Sequence, residues 1–124
     1  MSKKEDFEVI VTGGIVRSRD QGITGEAAVT FIRQFKVDIG IIGISGIDLD
    51  GTLLDFDFRE VHVARTIIEN SRKVYLVADH SKFGRNAMVK LGSITEIHSL
   101  VTDSPPPKQL MEIMVQHNIN LVIP

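Results

Sequence analysis

A chain of 124 residues has room for one domain around one core. Its hydrophobic share of 43% and charged share of 24% are ordinary for a soluble globular protein, and a formal charge of -2 leaves no electrostatic footprint for nucleic acid or an anionic membrane. The lack of cysteine excludes disulfides and thiolate metal sites, no apolar run reaches the ~18–20 residues of a membrane span, and MSKKEDF has no secretory h-region, so a cytoplasmic location is expected.

Phe7 to Thr12 reads as a buried strand ending on Gly13 and Gly14, a pair that lets backbone approach a ligand and that a plain turn needs equally. Arg17 to Gln21 form a polar loop. A helix is predicted from Thr24 or Gly25, with Glu26 near its positive end and Ala28, Phe31, Ile32 and Phe35 on its core face. Val37 to Ser45 is the second strand, followed by a glycine-rich turn through Gly46 and Gly51. Asp57-x-x-Glu60 has the form of a capping box before a helix whose buried face is Val61, Ala64, Ile67 and Ile68.

Val74 to Ala78 reads as a strand buried on both faces. It stops on Asp79, and His80, Ser81, Lys82, Gly84 and Arg85 crowd the next positions. Ligands of open α/β sheets sit beyond the carboxyl ends of strands, so this turn is either the wall of a site for a charged, hydroxylated ligand or a solvated connection. Ala87, Met88 and Leu91 predict a short helix ended by Gly92, and Ile97 to Thr102 a strand closing on Asp103. After Pro105 to Pro107, Leu110, Ile113 and Met114 mark a helix, and Asn120 to Ile123 a last strand. Strands alternating with helices predict an α/β fold of parallel βαβ units in a single domain over residues 1–124. The turns at Gly13, Ser45, Asp79 and Asp103 then share one sheet edge.

Asp48 to Asp55, DLDGTLLD, matches the DxDGT motif of haloacid dehalogenase-like, magnesium-dependent phosphatases. In that chemistry the first aspartate attacks phosphorus and the second handles the leaving-group proton. Ser45 and Gly46 interrupt the strand before Asp48, and Asp, Gly and Thr in a row equally make a surface turn. His62, His80, His98 and His117 are scattered, without HExxH spacing, and read as structural. No serine sits in a G-x-S-x-G elbow. No catalytic residue, metal or cofactor is assigned.

Four segments taken together, GGIVRSRDQGITGE, GIIGISGIDLDGTLLDFDFREV, IIENSRKVYLVADHSKFGRNAMVKLGS and VTDSPPP, resemble the effector-sensing domain of DeoR-type transcriptional repressors, in the branch that governs glycerol-3-phosphate metabolism. The resemblance implies a Rossmann-like parallel sheet of the ribose-phosphate isomerase and CoA transferase type. A sugar-phosphate isomerase is therefore an alternative by fold, although fold does not fix function. It implies a small-molecule effector, glycerol 3-phosphate, no enzymatic activity, a homo-oligomer, and operator DNA bound only through an amino-terminal helix-turn-helix. That helix-turn-helix and the first βα unit of the sensor are absent from this sequence. The expectation is a carboxyl-terminal part of such a domain, with its sheet incomplete on the amino-terminal side.

Residue by residue, Gly13 and Gly14 match the family's glycine pair. Asp48 matches the aspartate of G-I-S-G-I-D, Glu60 the acid opening the next helix, and Asp79 and Lys82 the D-x-S-K motif. The resemblance implies that Lys82 and backbone N–H groups draw phosphate, while Asp48, Glu60 and Asp79 accept bonds from hydroxyls.

Overall fold

Short runs of β-branched and aliphatic residues make the strands of a parallel sheet. The computed structural model of the protein describes residues 9–11, 29–30 and 32–124. The main sheet has five parallel strands in the order β1 (Val9–Val11), β2 (Val37–Gly43), β5 (Ser71–Val77), β7 (Ser99–Val101) and β8 (Asn120–Val122). A second sheet has three strands, β3 (Gly46–Ile47), β4 (Thr52–Asp55) and β6 (Val89–Ser93), paired antiparallel. Two helices, α1 (Phe58–Glu69) and α2 (Lys108–Gln116), connect β4 to β5 and β7 to β8. The α/β fold with a Rossmann-like parallel sheet is as expected. Gly13, Gly14, residues 17–28 and Phe31 lie outside the described residues.

Each step from β2 to β5, β7 and β8 moves in the same direction, so right-handed crossovers deliver these connections to one face. Ile42, Leu76 and Leu100 sit side by side on that face in register, and none has any exposed surface. Val63, Ala64 and Ile67 of α1, Leu53 of β4, Ile94, and Leu110 and Met114 of α2 close over them. The alternate residues of β5 face the other way. Tyr75 is only half-buried, and Val77 is 46% exposed. The expected burial of this strand on both faces is thereby corrected. An uninterrupted apolar run signals a strand, but one-way topology leaves its second face without a described helix.

Two further readings are corrected. The glycine-rich turn after β2 is a β-hairpin: Gly46 pairs with Leu54 and Ile47 with Leu53. Gly51, at φ +94, makes the tight return, and its N–H donates to the Asp48 carbonyl (2.9 Å). The short helix expected at Ala87, Met88 and Leu91 is instead β6, which fills the free edge of that hairpin from Asp55↔Val89 to Thr52↔Ser93. Three apolar residues at helical spacing are too few to nucleate a helix against an available strand edge. Gly92 instead leaves room for the Glu96 carboxylate and the Arg65 guanidinium, which a Cβ there would displace. Arg65 holds Glu96 at 2.8 Å and Glu69 at 3.3 Å, clamping α1 to the end of β6.

Asp57 stands at the N-cap of α1, its Oδ1 accepting the N–H of Arg59 (2.8 Å) rather than the Glu60 N–H that a capping box uses. Val61, Ala64 and Ile67 are buried as their spacing predicts. Pro107 stands at the amino end of α2, where it has no N–H to leave unpaired.

Candidate functional site

The carboxyl ends of β5 and β7 carry the densest polar chemistry of the main sheet. Beyond β5, Ala78 stays buried and donates to Val101 (3.0 Å), so the chain is still in the sheet when Asp79 begins. Asp79 caps a single 3-10 turn, His80–Lys82, its Oδ1 accepting the Ser81 N–H (2.9 Å) and the Ser81 hydroxyl. Those two bonds, the hydroxyl's first, hold the Asp79 carboxyl below its ordinary range, and the Lys82 ammonium adds to the effect. The aspartate of D-x-S-K thus builds the turn that sets Lys82 at the sheet edge.

From the neighbouring strand, Asp103 grips the same turn twice. Its Oδ1 accepts the His80 backbone N–H (2.7 Å), and its Oδ2 lies 2.8 Å from the ring Nδ1. The hydrogen bond, then the charge, of Asp103 raises His80 above the ordinary 6.5, and the His80 bond holds Asp103 low in return. A raised histidine contributes stability that is complete below the unfolded value and is lost as pH rises through the folded one. For the lowered aspartate the loss comes as pH falls through its folded value. The clamp is therefore whole between those two limits.

The hairpin supplies the second wall. Asp55, 7% exposed, accepts the Ser45 hydroxyl (2.8 Å) and the Phe56 N–H (2.7 Å), fastening the end of β4 to the chain leaving β2. Phe83 bridges to Ile47, and the Gly84 N–H donates to the Ile47 carbonyl (2.7 Å). Gly84 has φ +76, which allows this return. Arg85 lies over the Phe56 ring, 5.7 Å from its centroid. At Gly46 a Cβ would collide with the Arg85 backbone carbonyl. Gly46→Ala should therefore push the loop after Lys82 off the hairpin, at a cost of about 1–3 kcal/mol as in other overpacked sites. Urea unfolding checks this, and a loss under ~0.5 kcal/mol, the scale of a neutral surface change, would mean the loop yields freely.

The structure brings Asp79 and Lys82 together on one turn. Lys82 and Asp48 each adjoin the Phe83–Ile47 bridge, so the two expected site segments meet there. Asp48 is exposed in the hairpin turn, where its Oδ1 accepts the Leu49 N–H (2.9 Å). Glu60 lies part-buried in the first turn of α1. Gly13 and Gly14 are outside the described residues.

His80 and Asp103 were missed as a pair. Both stand just past the carboxyl ends of strands, and only the adjacency of β5 and β7 makes them partners. His80 is thus no isolated structural histidine, unlike His98, whose Nδ1 accepts the Val74 N–H (2.9 Å). The DxDGT string forms turn bonds: Asp50 Oδ1 accepts the Thr52 N–H (2.9 Å), the main reason its carboxyl is lowered. Asp48 thus lies in an antiparallel hairpin rather than at the end of a parallel strand. Among the described residues no group of three acidic, histidine or cysteine side chains is placed to hold a metal, and no helix is long and apolar enough to cross a membrane.

A parallel α/β sheet with a capped, polar turn at its carboxyl edge is a Rossmann-like domain. The chain belongs to the DeoR C-terminal sensor domain family, whose profile matches residues 1–104. It is 59% identical over 118 residues to the glycerol-3-phosphate regulon repressor of Escherichia coli (strain K12), covering 95% of this chain and 47% of that protein. It is 52% identical over 106 residues to the glycerol-3-phosphate regulon repressor of Haemophilus influenzae, covering 86% and 41%. The HTH-type transcriptional repressor CsqR of Escherichia coli is 36% identical over 118 residues, 95% of this chain and 45% of that protein. The chain spans about half the length of these curated relatives.

Proposed function

We propose that this chain is the effector-sensing part of a transcriptional repressor of glycerol-3-phosphate metabolism, with a regulatory role and no catalysis. The observation that carries the reading is the 59% identity, over 95% of the chain, to a glycerol-3-phosphate regulon repressor. The effector is a small phosphorylated polyol, glycerol 3-phosphate, whose binding relieves repression. Lys82 attracts the phosphate, Asp48, Glu60 and Asp79 accept bonds from hydroxyls, and Gly13 and Gly14 let backbone approach. Asp79 Oδ1 is engaged with Ser81, so Oδ2 is the oxygen it offers. Operator DNA is held by an amino-terminal helix-turn-helix, and the chain assembles as a homo-oligomer. The half-covered face of the main sheet, with Val77 46% exposed and Val122 40% exposed, supports self-association.

Titration calorimetry with glycerol 3-phosphate, glycerol and inorganic phosphate tests the reading. Glycerol 3-phosphate should bind at least about tenfold tighter than either fragment, a difference of ~1.4 kcal/mol. Absence of saturable binding would sink it. So would release of phosphate with magnesium that Asp48→Asn abolishes, which favours the phosphatase. Isomerised sugar phosphate would favour the isomerase.

A further inference from the structure

We infer that His80 is a second contact to the effector's phosphate: anchored by Asp103 through its backbone N–H and Nδ1, it keeps Nε2 for the ligand beside Lys82. This rests on the effector-sensing reading above.

Three observations carry it. First, Asp103 already ties the turn down through the His80 backbone N–H at 2.7 Å. The additional bond to Nδ1 at 2.8 Å fixes the ring rather than the chain. A carboxylate on Nδ1 directs the ring and favours the imidazolium, in which the far Nε2–H is a donor aimed away from Asp103. No bond to Nε2 is made among the described residues, and the side chain is 66% exposed.

Second, His80 opens the turn that Lys82 closes, at the ligand edge of a parallel sheet. A single lysine is a flexible point charge, and a fixed imidazole beside it adds direction. Third, the local charges need it. Asp79 and Asp103 outweigh Lys82 by one negative charge while the ring is neutral, and the imbalance vanishes once the ring is charged. A phosphate monoester carries about -1.5 to -2 at pH 7, so the neutral ring leaves a turn that repels it.

The groups that face the ring are Asp103 from the end of β7 and Asp79 and Lys82 from its own turn. The Asp103 bond, then the Asp103 charge and more weakly that of Asp79, favour the charged imidazole. Affinity for the phosphate should therefore fall as pH rises through the raised histidine value. It should also fall below about pH 6, where the ligand takes up its second proton.

The test uses His80→Asn, because the asparagine amide N–H stands where Nδ1–H stood and keeps the bond to Asp103 while removing Nε2. Affinity for glycerol 3-phosphate and for inorganic phosphate should drop by about tenfold or more, and the alkaline limb of the pH profile should flatten. Asp103→Asn keeps Nε2 but removes the charge, so its alkaline limb should move to lower pH. Independently of any variant, the ¹⁵Nε2 resonance of His80 should shift on saturation with inorganic phosphate. An unmoved resonance overturns the inference, as does His80→Asn binding within twofold of wild type with its alkaline limb intact. If wild type binds no phosphate compound, both the inference and the effector reading fall. If wild type and Lys82→Ala differ as expected while His80→Asn matches wild type, only the inference falls.

Discussion

Replacing Lys82 by alanine should weaken glycerol 3-phosphate binding by about 10- to 150-fold. Losing a hydrogen bond to a charged group costs roughly 1.5–3 kcal/mol, and each 1.4 kcal/mol is a factor of ten. The structural basis is the turn that Asp79 caps and Asp103 clamps, which leaves the Lys82 stem part-buried at the carboxyl edge of the sheet. The same substitution should shift folding stability by no more than ~0.5 kcal/mol, as at other sites away from core and caps. The bonds that build the turn run from Ser81 and His80 to the two aspartates and do not involve the lysine side chain. Calorimetry and urea unfolding on the same preparation separate the two effects. Binding within twofold of wild type would transfer the phosphate to Arg85 or to backbone amides. Arg85 is already stacked on Phe56, so shifting it to the ligand would break that contact.

The parallel sheet was legible because its strands are written locally. Apolar β-forming runs at Val37 and Val74 require nothing from distant residues. The second sheet was not legible for the opposite reason. β3 is two residues long, and β6 contains Gly92 and a charged Lys90, so neither carries a strand signal by itself. Both exist because β4 offers two edges, a tertiary fact that outweighs propensity. The same division holds at the site. D-x-S-K is contiguous, and its roles follow from one turn. The Asp103 grip on His80 spans 23 positions and needs the strand order β5 to β7 before it can be read.

That strand order also decides what each carboxylate at the edge can do. Asp55 is occupied by Ser45 and Phe56, Asp57 caps α1, and Asp103 is occupied by His80. Asp48 and Asp79 each have one oxygen taken by an N–H near in sequence. Most of the acidity at this edge is therefore spent on holding loops, and the cations gain weight in the balance. The charge of these carboxylates remains, so an edge rich in aspartate by sequence can accept an anion only where Lys82 and a charged His80 offset it.

The largest effect on stability should come from Leu76→Ala, and its value lies in comparison with the next residue. Leu76 has no exposed surface and packs between Ile42 and Leu100 on the covered face of the sheet. Its truncation should cost about 2–5 kcal/mol, the range for buried leucines that leave a cavity. Against a typical total of roughly 5–15 kcal/mol, that is enough to threaten folding. Val77 is its immediate neighbour in the same strand, yet it is 46% exposed on the other face. Val77→Ala removes less buried surface and should cost no more than about 1 kcal/mol, at ~0.8 kcal/mol per fully buried methylene. Urea unfolding of both variants at several protein concentrations reads the difference. A Val77→Ala loss close to that of Leu76→Ala would mean that the second face is covered in solution. If that loss also grew with protein concentration, the cover would be another copy of the chain, because association stabilises only by mass action.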